Sequence, residues 1–200
     1  MSAILKTDVL LTPEEYLCWE AKAKNKHEYL GGIIHAMAGG RVIHSLIASN
    51  ILIALGSRLR GKICRVYNSD IIMRLKMPTG QIRFYYPDVQ VVCDSNPPDD
   101  VFQEKPVLLV EVASPSTWRT DHVEKLEAYT TIPTLEWYLL VDTRRCEVLV
   151  HHREADGFHS LKLTNLDDKV TLKSLAVDLP LADIYADVIF PPPKDPDEEE

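Results

Sequence analysis

The chain has 200 residues, of which 46% are hydrophobic, and a formal net charge of −8. This size and composition predict one globular domain, which we place at residues 8–190, and exclude a disordered or fibrous protein. Half of the negative charge lies in the last ten residues, PPPKDPDEEE, and we expect this acidic tail (191–200) to be disordered. The rest of the chain is only mildly acidic, which argues against a broadly basic nucleic-acid-binding surface but allows a local positive groove.

Four cysteines lie far apart in the sequence, at Cys18, Cys64, Cys93 and Cys146. Without CxxC spacing or a cluster of short loops, they predict neither a disulfide framework nor a structural zinc site, and a reducing compartment fits them best. The N-terminus MSAILKTDVLL has a lysine and an aspartate where a signal peptide needs an apolar core, and no window is expected to reach the length of a membrane span. We therefore expect a cytoplasmic protein with no membrane partner.

The N-terminal third predicts a helix, a hairpin and a second helix. The first helix begins at a capping box, TPEE (12–15), and should run to about Lys24. The segment HEYLGGIIHAMA predicts two strands around a Gly-Gly turn, the second covering 33–37. Apolar residues then recur at three- and four-residue steps over 43–59, which is typical of a long amphipathic core helix, and Gly61 suits its C-terminal cap.

The middle of the chain predicts strands joined by turns. They cover residues 63–67, 70–76, 81–84, 88–93 and 106–113. The turn PTG joins the second and third strands into a hairpin, and SNPPDDVFQEK predicts a polar surface loop. The last of these strands, PVLLVEVA, is a nearly continuous apolar run, as in strands that are covered on both faces.

The order of the predicted elements in the C-terminal half indicates the fold class. SPST (114–117) should cap a helix from Trp118 to Tyr129, and residues 136–142 return as a strand. A strand, a helix and a strand at this spacing form a right-handed crossover between parallel neighbours, so the fold class is α/β. The remaining predicted elements are a hairpin of 147–152 and 158–163, a short strand at 170–173 and a closing helix at 181–189.

Two carboxylates stand within predicted strands, where an acid is costly unless it is solvated, paired or bound to a metal. Asp88 follows Pro87 at the start of its strand and is equally well explained as a solvated strand-edge acid. Glu111 interrupts the run VLLVEVA and must be paired, protonated or metal-bound. Lys125 shares a helix face with Asp121, an arrangement that usually is a solvated ion pair. Two acids and a lysine are nevertheless the minimum set for metal-assisted phosphodiester hydrolysis.

Two further acids are weaker candidates for the same metal. Glu28 lies in HEYLGGII and Asp70 at the start of a predicted strand, and acids in such places are more often surface residues. The histidines lack an HExxH context, SPST lacks the glycines of a GxSxG elbow, and the Gly-Gly pairs lack the flanking pattern of a phosphate loop. These observations argue against a zinc hydrolase, a serine nucleophile and a phosphate-binding loop.

The ordered motifs PDVQVVCD, PVLLVEVASPST, D-x-x-x-K-x-x-x-Y (Asp121, Lys125 and Tyr129) and EWYLLVD resemble those of the Uma family of restriction endonucleases, in the PD-(D/E)XK nuclease superfamily. The likeness extends from LTPEEYL through HEYLGGII and IHSLIASNIL to LPLADIY. It implies a restriction-endonuclease-like core, in which a mixed sheet is flanked by helices. It also implies that Asp88, Glu111 and Lys125 form the catalytic set.

The same resemblance implies a Mg²⁺ (or Mn²⁺) ion held by Asp88, Glu111 and the backbone carbonyl of Val112, with Glu28, Asp70 and Asp121 as additional candidates. The lysine that the superfamily carries two residues after the glutamate is replaced here by Ala113, and Lys125 is implied as its migrated substitute.

DNA is the implied partner, and a homodimer would suit cutting of both strands. Three interpretations stay open at this point. They are a metal-dependent DNA endonuclease, a catalytically inactive module of the same fold that binds nucleic acid or a protein, and a hydrolase of some smaller phosphoester.

Overall fold

A computed structural model describes residues 10–37, 39–114, 118 and 120–192 of the chain. The first half contains α1 (Pro13–Glu20), β1 (His27–Leu30), β2 (Ile33–Ala36), α2 (Val42–Leu59), β3 (Arg65–Asn68), β4 (Ile72–Lys76), β5 (Ile82–Tyr85), β6 (Val89–Val92), β7 (Phe102–Gln103) and β8 (Pro106–Ala113). The second half contains a π-helical segment (Thr120–Lys125), α3 (Leu126–Tyr129), β9 (Trp137–Asp142), β10 (Val148–Glu154), β11 (Gly157–Leu163), β12 (Lys169–Leu172), a 3₁₀ turn (Lys173–Leu175), β13 (Val177–Pro180) and α4 (Leu181–Ile184).

The strands form three sheets within the described residues. The large sheet has the order β11-β10-β9-β8-β6-β3, the second sheet β2-β1-β5-β4-β7, and β12 pairs with β13. β8 and β9 are parallel, as the predicted crossover requires, and their other neighbours in the large sheet are antiparallel. The second sheet is also mixed, because β4 and β7 are parallel. The α/β class with mixed sheets flanked by helices is therefore confirmed, although with two mixed sheets where one was expected.

The large sheet is covered on both faces. On one face, residues such as Leu108 and Val110 pack with the buried side of α2 and with β12 and β13. On the other face, Leu109 packs with α3 and with strands β4 and β5 of the second sheet. Because side chains alternate along a strand, Glu111 lies on the Leu109 face, towards α3. This alternation decides which elements can reach the candidate carboxylates.

Several predicted elements are confirmed with shifted ends. The capping box of α1 is present, with the Glu15 N–H bonded to the Thr12 hydroxyl and the Thr12 N–H to the Glu15 carboxylate, but α1 ends at Glu20 instead of near Lys24. The Gly-Gly hairpin turn has positive φ at Gly31 and Gly32. A Cβ atom at Gly31 would also overlap the side chain of Gln81. Both the positive φ and the close approach of Gln81 therefore favour glycine at this position.

The C-terminal helices are shorter than predicted. The helix expected over 118–129 is a π-helical segment followed by only four α-helical residues, and the closing helix expected over 181–189 ends at Ile184. Strands β7 and β13 were not predicted, because each is short and gains its hydrogen bonds from a partner distant along the chain or across a tight turn. Residues 115–117 of the predicted cap and 193–200 of the predicted tail lie outside the described residues.

The expectation of unpaired cysteines is wrong for two of them. Cys64 and Cys93 form a disulfide across neighbouring strands. In the antiparallel pair β3 and β6, Arg65 lies opposite Val92, so the next position outward places Cys64 opposite Cys93. A pairing created by strand register leaves no trace in the spacing of the cysteines, which is why the sequence did not reveal it.

The expectation that no segment reaches a membrane span also needs correction. α2 is long and apolar enough to cross a membrane by length and composition. In the structure it packs against the large sheet through a buried stripe, which consists of Ile47, Ile51, Ala54, Leu55 and Leu59. The apolar side chains of this stripe thus form part of the protein core.

Candidate active site

Asp88 and Glu111 lie side by side at the centre of the large sheet. In the antiparallel pair β6 and β8, Val89 is opposite Val110, so the next positions along the two strands are Asp88 and Glu111. The backbone N–H of Val112 donates a 2.7 Å hydrogen bond to Asp88 Oδ2. Strand pairing therefore holds one carboxylate at a fixed place beside the other.

Glu111 receives two donors from the segment that follows β8. Lys125 Nζ lies 3.1 Å and Tyr129 OH 2.8 Å from Glu111 Oε1. Lys125 and Tyr129 are four residues apart, which places both on the side of the π-helical segment and α3 that faces the sheet. Both of these contacts are made to Oε1.

The Lys125 ammonium lies among three carboxylates. Its Nζ is 3.0 Å from Glu28 Oε1, 3.1 Å from Glu111 Oε1 and 3.3 Å from Asp121 Oδ1. Glu28 comes from β1 of the second sheet, Glu111 from the large sheet and Asp121 from the π-helical segment. The Lys125 side chain is only 7% exposed, so this is a buried charge cluster and not the solvated helix pair that the sequence pattern favours.

The protonation of this cluster follows from burial and from its excess of acids. Burial raises the pKa of Glu111 well above its usual range; Lys125 opposes this rise, whereas Asp121, Asp88 and Glu28 add to it. Burial alone would lower the pKa of Lys125, but Glu111, Glu28 and Asp121 outweigh it and raise that pKa well above its usual value. The contacts of this cluster therefore favour the charged form of Lys125.

Tyr138 fixes the π-helical segment to the sheet. Its hydroxyl donates a 2.8 Å hydrogen bond to the backbone carbonyl of Asp121, and its ring is fully buried. Tyr138 lies on β9 opposite Leu109, two pairs before the level of Glu111. The segment that carries Asp121 and Lys125 is thus anchored to the strand next to Glu111.

His44 is a neighbour of the site that the sequence analysis did not select. It lies in the first turn of α2, and its Nε2 is 3.1 Å from Asp88 Oδ2. Burial lowers the pKa of His44, but the hydrogen bond and charge of Asp88 outweigh burial and raise it overall. Nothing in the helical pattern around His44 points to a strand aspartate far along the chain, so only the three-dimensional structure reveals this contact.

The structure brings together five of the residues that the sequence singled out: Glu28, Asp88, Glu111, Asp121 and Lys125. Asp70 is not one of this group, because its side chain is 72% exposed and pairs with Lys26 at 2.7 Å. Val112 touches Asp88 through its N–H.

The side chains of this site include several carboxylates. Carboxylate oxygens are the ligands that Mg²⁺ and Mn²⁺ prefer. Glu28 Oε1 is buried and makes no hydrogen bond within the described residues, since its contact with Lys125 lacks hydrogen-bond geometry. A buried carboxylate oxygen with unused capacity is suited to a cation.

Among the described residues, the group whose ligand atoms all lie within 4.8 Å of one another is a different one, namely Glu154, Asp156 and His159 at the tip of the β10–β11 hairpin. All three are exposed, and exposed acidic groups are common without a bound ion. They belong to a different part of the molecule from the cluster around Glu111.

Comparisons with known proteins agree with the motifs. Residues 13–182 match the Uma2 family, described as "Putative restriction endonuclease". Two uncharacterized proteins of Synechocystis sp. (strain ATCC 27184 / PCC 6803 / Kazusa) are similar to this chain. The protein slr1290 is 35% identical over 90% of this chain and 94% of its own length, and sll1609 is 31% identical over 82% of this chain and 91% of its own length.

A crystal structure from Anabaena variabilis ATCC 29413, described as a putative nuclease belonging to DUF820, superposes with a TM-score of 0.71 at 18% sequence identity. The likeness covers 88% of this chain and 97% of that chain. It shows that the fold is the restriction-endonuclease-like α/β fold. With the family match over most of its length and two relatives above 30% identity, the chain belongs to the Uma2 restriction-endonuclease family.

Proposed function

We propose that this chain is a divalent-cation-dependent endonuclease that hydrolyses phosphodiester bonds of DNA. The observation that carries the proposal is the 3.1 Å contact between Lys125 Nζ and Glu111 Oε1. Ala113 occupies the strand position where the superfamily carries its lysine, and Lys125 supplies the ammonium from the next segment of the chain. In this proposal Lys125 completes the set of two acids and one lysine from a later position in the sequence.

Asp88 and Glu111 would hold the cation through carboxylate oxygens, together with the backbone carbonyl of Val112, while Glu28 would act from an outer position. When bound, a divalent cation lowers the pKa of a water molecule and offsets negative charge on the phosphate. The hydrogen bonds from the Val112 N–H to Asp88 and from Tyr129 to Glu111 orient the two carboxylates in advance. Such preorganisation is what makes fixed charges effective in catalysis.

The role of Lys125 follows from its charge. Because its carboxylate neighbours keep it protonated, it serves as a hydrogen-bond donor and fixed positive charge and not as a general base. It would orient the attacking water or neutralise a phosphate oxygen in the transition state. A lysine side chain is long and flexible, so Lys125 can reach Glu111 from the helical segment.

The second candidate function is a catalytically inactive module that binds nucleic acid or a protein. The observation that favours it is the surplus of acid around Lys125, because three carboxylates already contact its ammonium. A phosphate would have to compete with them. Cleavage assays separate the two functions.

In the deciding experiment, plasmid and single-stranded DNA are incubated with the purified chain and Mg²⁺, Mn²⁺ or a chelator. We expect cleavage only with a divalent cation and none in Glu111→Ala. Lys125→Ala should lose about a hundredfold or more in rate and keep its affinity for Mn²⁺, since one preorganised charge-stabilising group typically contributes this much. Asp70→Asn, an acid outside the site, is the matched control and should cut like the wild type.

Circular dichroism and thermal melting of each variant show that a loss of rate is not a loss of fold. If Lys125→Ala cuts as fast as the wild type, the lysine does not have the proposed role. If the wild type cuts no DNA with either cation, the inactive module becomes the better account, and its DNA binding should weaken as salt rises.

A further inference from the structure

A row of stacked side chains runs from the core to the surface beside the candidate active site. We call it the aromatic row, and it consists of Tyr138, His151, His122, Trp118 and Arg144. Successive ring centroids are 5.7, 6.2 and 5.8 Å apart, and the Arg144 guanidinium lies 5.8 Å from the centre of the Trp118 ring. Tyr138 is fully buried, whereas the Arg144 side chain is 44% exposed. The row therefore reaches the surface as an indole and a guanidinium.

The aromatic row is built on the same elements as the site. His122 directly follows Asp121, and the Tyr138 hydroxyl bonds to the Asp121 carbonyl. Arg144 comes two residues after Asp142, which pairs with Ala113 at the end of β8. The outer end of the aromatic row thus lies near the C-terminal end of β8, just beyond Glu111.

Three cations lie near this outer end and are linked through Asp142 and Glu147. We call these cations, Arg144, Arg145 and Lys162, the basic patch. Their side chains are 44%, 57% and 55% exposed, whereas their acidic partners Asp142 and Glu147 are 0% and 7% exposed. The acids lie beneath and the cations face the solvent. On a chain with a net charge of −8, this is the local positive surface that the sequence analysis left open.

Asp142 also holds the Arg144 guanidinium in a fixed orientation. Arg144 Nε donates to Asp142 Oδ1 at 3.1 Å, and Arg144 NH2 donates to Asp142 Oδ2 at 2.8 Å. A guanidinium bound through its edge keeps its flat faces available for stacking. Asp142 thus sets the orientation of this guanidinium over the Trp118 ring before any ligand arrives.

Aromatic and guanidinium planes next to positive charge are the features with which proteins bind unpaired nucleotides. Within a duplex each base is covered by its neighbours, so only an unpaired base can lie on such a surface. We propose that the outer end of the aromatic row and the basic patch bind an unpaired segment of the DNA substrate. The Arg144 guanidinium, which lies over the Trp118 ring, stacks on a base, and Arg145 and Lys162 contact phosphates. The proposal rests on the proposed function for the identity of the substrate.

The test measures binding apart from cleavage. Fluorescence anisotropy with a labelled oligodeoxynucleotide of about sixteen nucleotides, a length within the usual site sizes, is recorded in chelator, beside the same sequence as duplex DNA and as RNA. We expect the single strand to bind more tightly than the duplex. Trp118→Leu should weaken single-strand binding about 5- to 100-fold, the range for the loss of one stacking contact, because it removes the ring that supports the Arg144 guanidinium.

Lys162→Gln tests the phosphate contact independently. It should lower the slope of log affinity against log salt by about 0.7, the contribution of one phosphate contact with a single strand. Arg144 is left intact, because its removal would leave the buried Asp142 with the longer, 3.7 Å contact to Arg145 in place of the 2.8 Å contact to Arg144. Urea unfolding of each variant shows whether the fold is retained, and Lys162→Gln keeps the test decisive if Trp118→Leu is unstable.

Two matched variants serve as controls. Trp19 is also partly exposed, at 38%, and packs on a histidine ring, and Lys169 is 57% exposed and pairs with an aspartate. Both lie on other elements, so Trp19→Leu and Lys169→Gln should bind like the wild type.

The inference is overturned if the wild type does not bind the single strand, if duplex DNA or RNA binds more tightly, or if Trp118→Leu and Lys162→Gln both bind like the wild type. If both variants cleave DNA as fast as the wild type does, the inference is overturned and the nuclease function is retained. Single-strand binding that weakens in both variants, without cleavage in any cation, would support the inference and remove the nuclease function.

Discussion

A glutamate inside an apolar strand needs partners, and Glu111 finds them in Lys125 and Tyr129. The cost of burying an unpaired acid already predicted, from the sequence VLLVEVA, that Glu111 must be paired, protonated or metal-bound. The same logic failed for Lys125, because a lysine and an acid one helical turn apart usually form a solvated pair. Lys125 is buried because the sheet with Glu111 and the strand with Glu28 close over it from two sides. Contacts from distant elements are what local patterns cannot show.

Metal affinity tests the residues directly. If Asp88 and Glu111 share a cation, calorimetric titration with Mn²⁺ should show binding in the wild type that weakens sharply in Asp88→Asn and in Glu111→Gln, because each change removes an anionic oxygen ligand. Asp70→Asn removes an equally acidic side chain outside the cluster and should bind like the wild type. Unchanged affinity in both site variants would rule out the assignment.

At the scale of elements, the sequence predicted the long helix α2, the crossover from β8 to β9 and most strands to within a few residues. These elements carry strong periodic or apolar signals. It missed β7 and β13 and overextended the last helix, since short strands depend on partners that tertiary contact supplies. For the same reason the place of Asp88 beside Glu111 could not be derived from either strand alone, because it depends on the register between them.

The disulfide between β3 and β6 gives a prediction for these elements. Cys64 and Cys93 are separated by 29 residues, a loop length at which a crosslink stabilises a protein by about 3–4 kcal/mol. Cys93→Ser should therefore lower the free energy of unfolding by about that amount in oxidising buffer, measured by urea denaturation. With a reductant present, the wild type and the variant should unfold at similar urea concentrations. Equal stability in oxidising buffer would show that the bond does not form.

For the whole molecule, the acidic C-terminus is expected to be dispensable for stability. Pro191 and Pro192 are exposed, and the sequence beyond them offers only prolines and charged residues, which cannot add to an apolar core. Deleting residues 191–200 should change the melting temperature by less than about 2 °C, the lower limit of the shift that a loss of about 1 kcal/mol produces in a protein of this size. A fall of many degrees in calorimetry would show that the segment packs on the domain.

The stability of the whole protein should also depend on His151. Its Nδ1 lies 2.7 Å from the Ser160 hydroxyl, its Nε2 is buried without a partner among the described residues, and its ring stacks on Tyr138. Burial, together with His122 and His152, lowers the pKa of His151 from its usual 6.5 to about 4. The unfolded chain therefore binds a proton below pH 6.5 that the folded protein takes up only near pH 4. Stability should fall as the pH falls through this window.

We expect the unfolding equilibrium constant to rise by up to about tenfold per pH unit within the window, the effect of one proton. His151→Phe keeps a ring against Tyr138 but cannot bind a proton, so urea denaturation at pH 7 and at pH 5 should show a shallower loss of stability than in the wild type. His152→Phe changes the neighbouring, partly exposed histidine and should reduce the pH dependence much less than His151→Phe does, because burial is the largest cause of the lowered pKa of His151. Carboxyl groups with raised pKa values, such as Glu111, favour the folded state on acidification, but they are present in all three proteins and cancel in the comparison. If His151→Phe loses stability with acid as steeply as the wild type, His151 is not the group that binds the proton on unfolding.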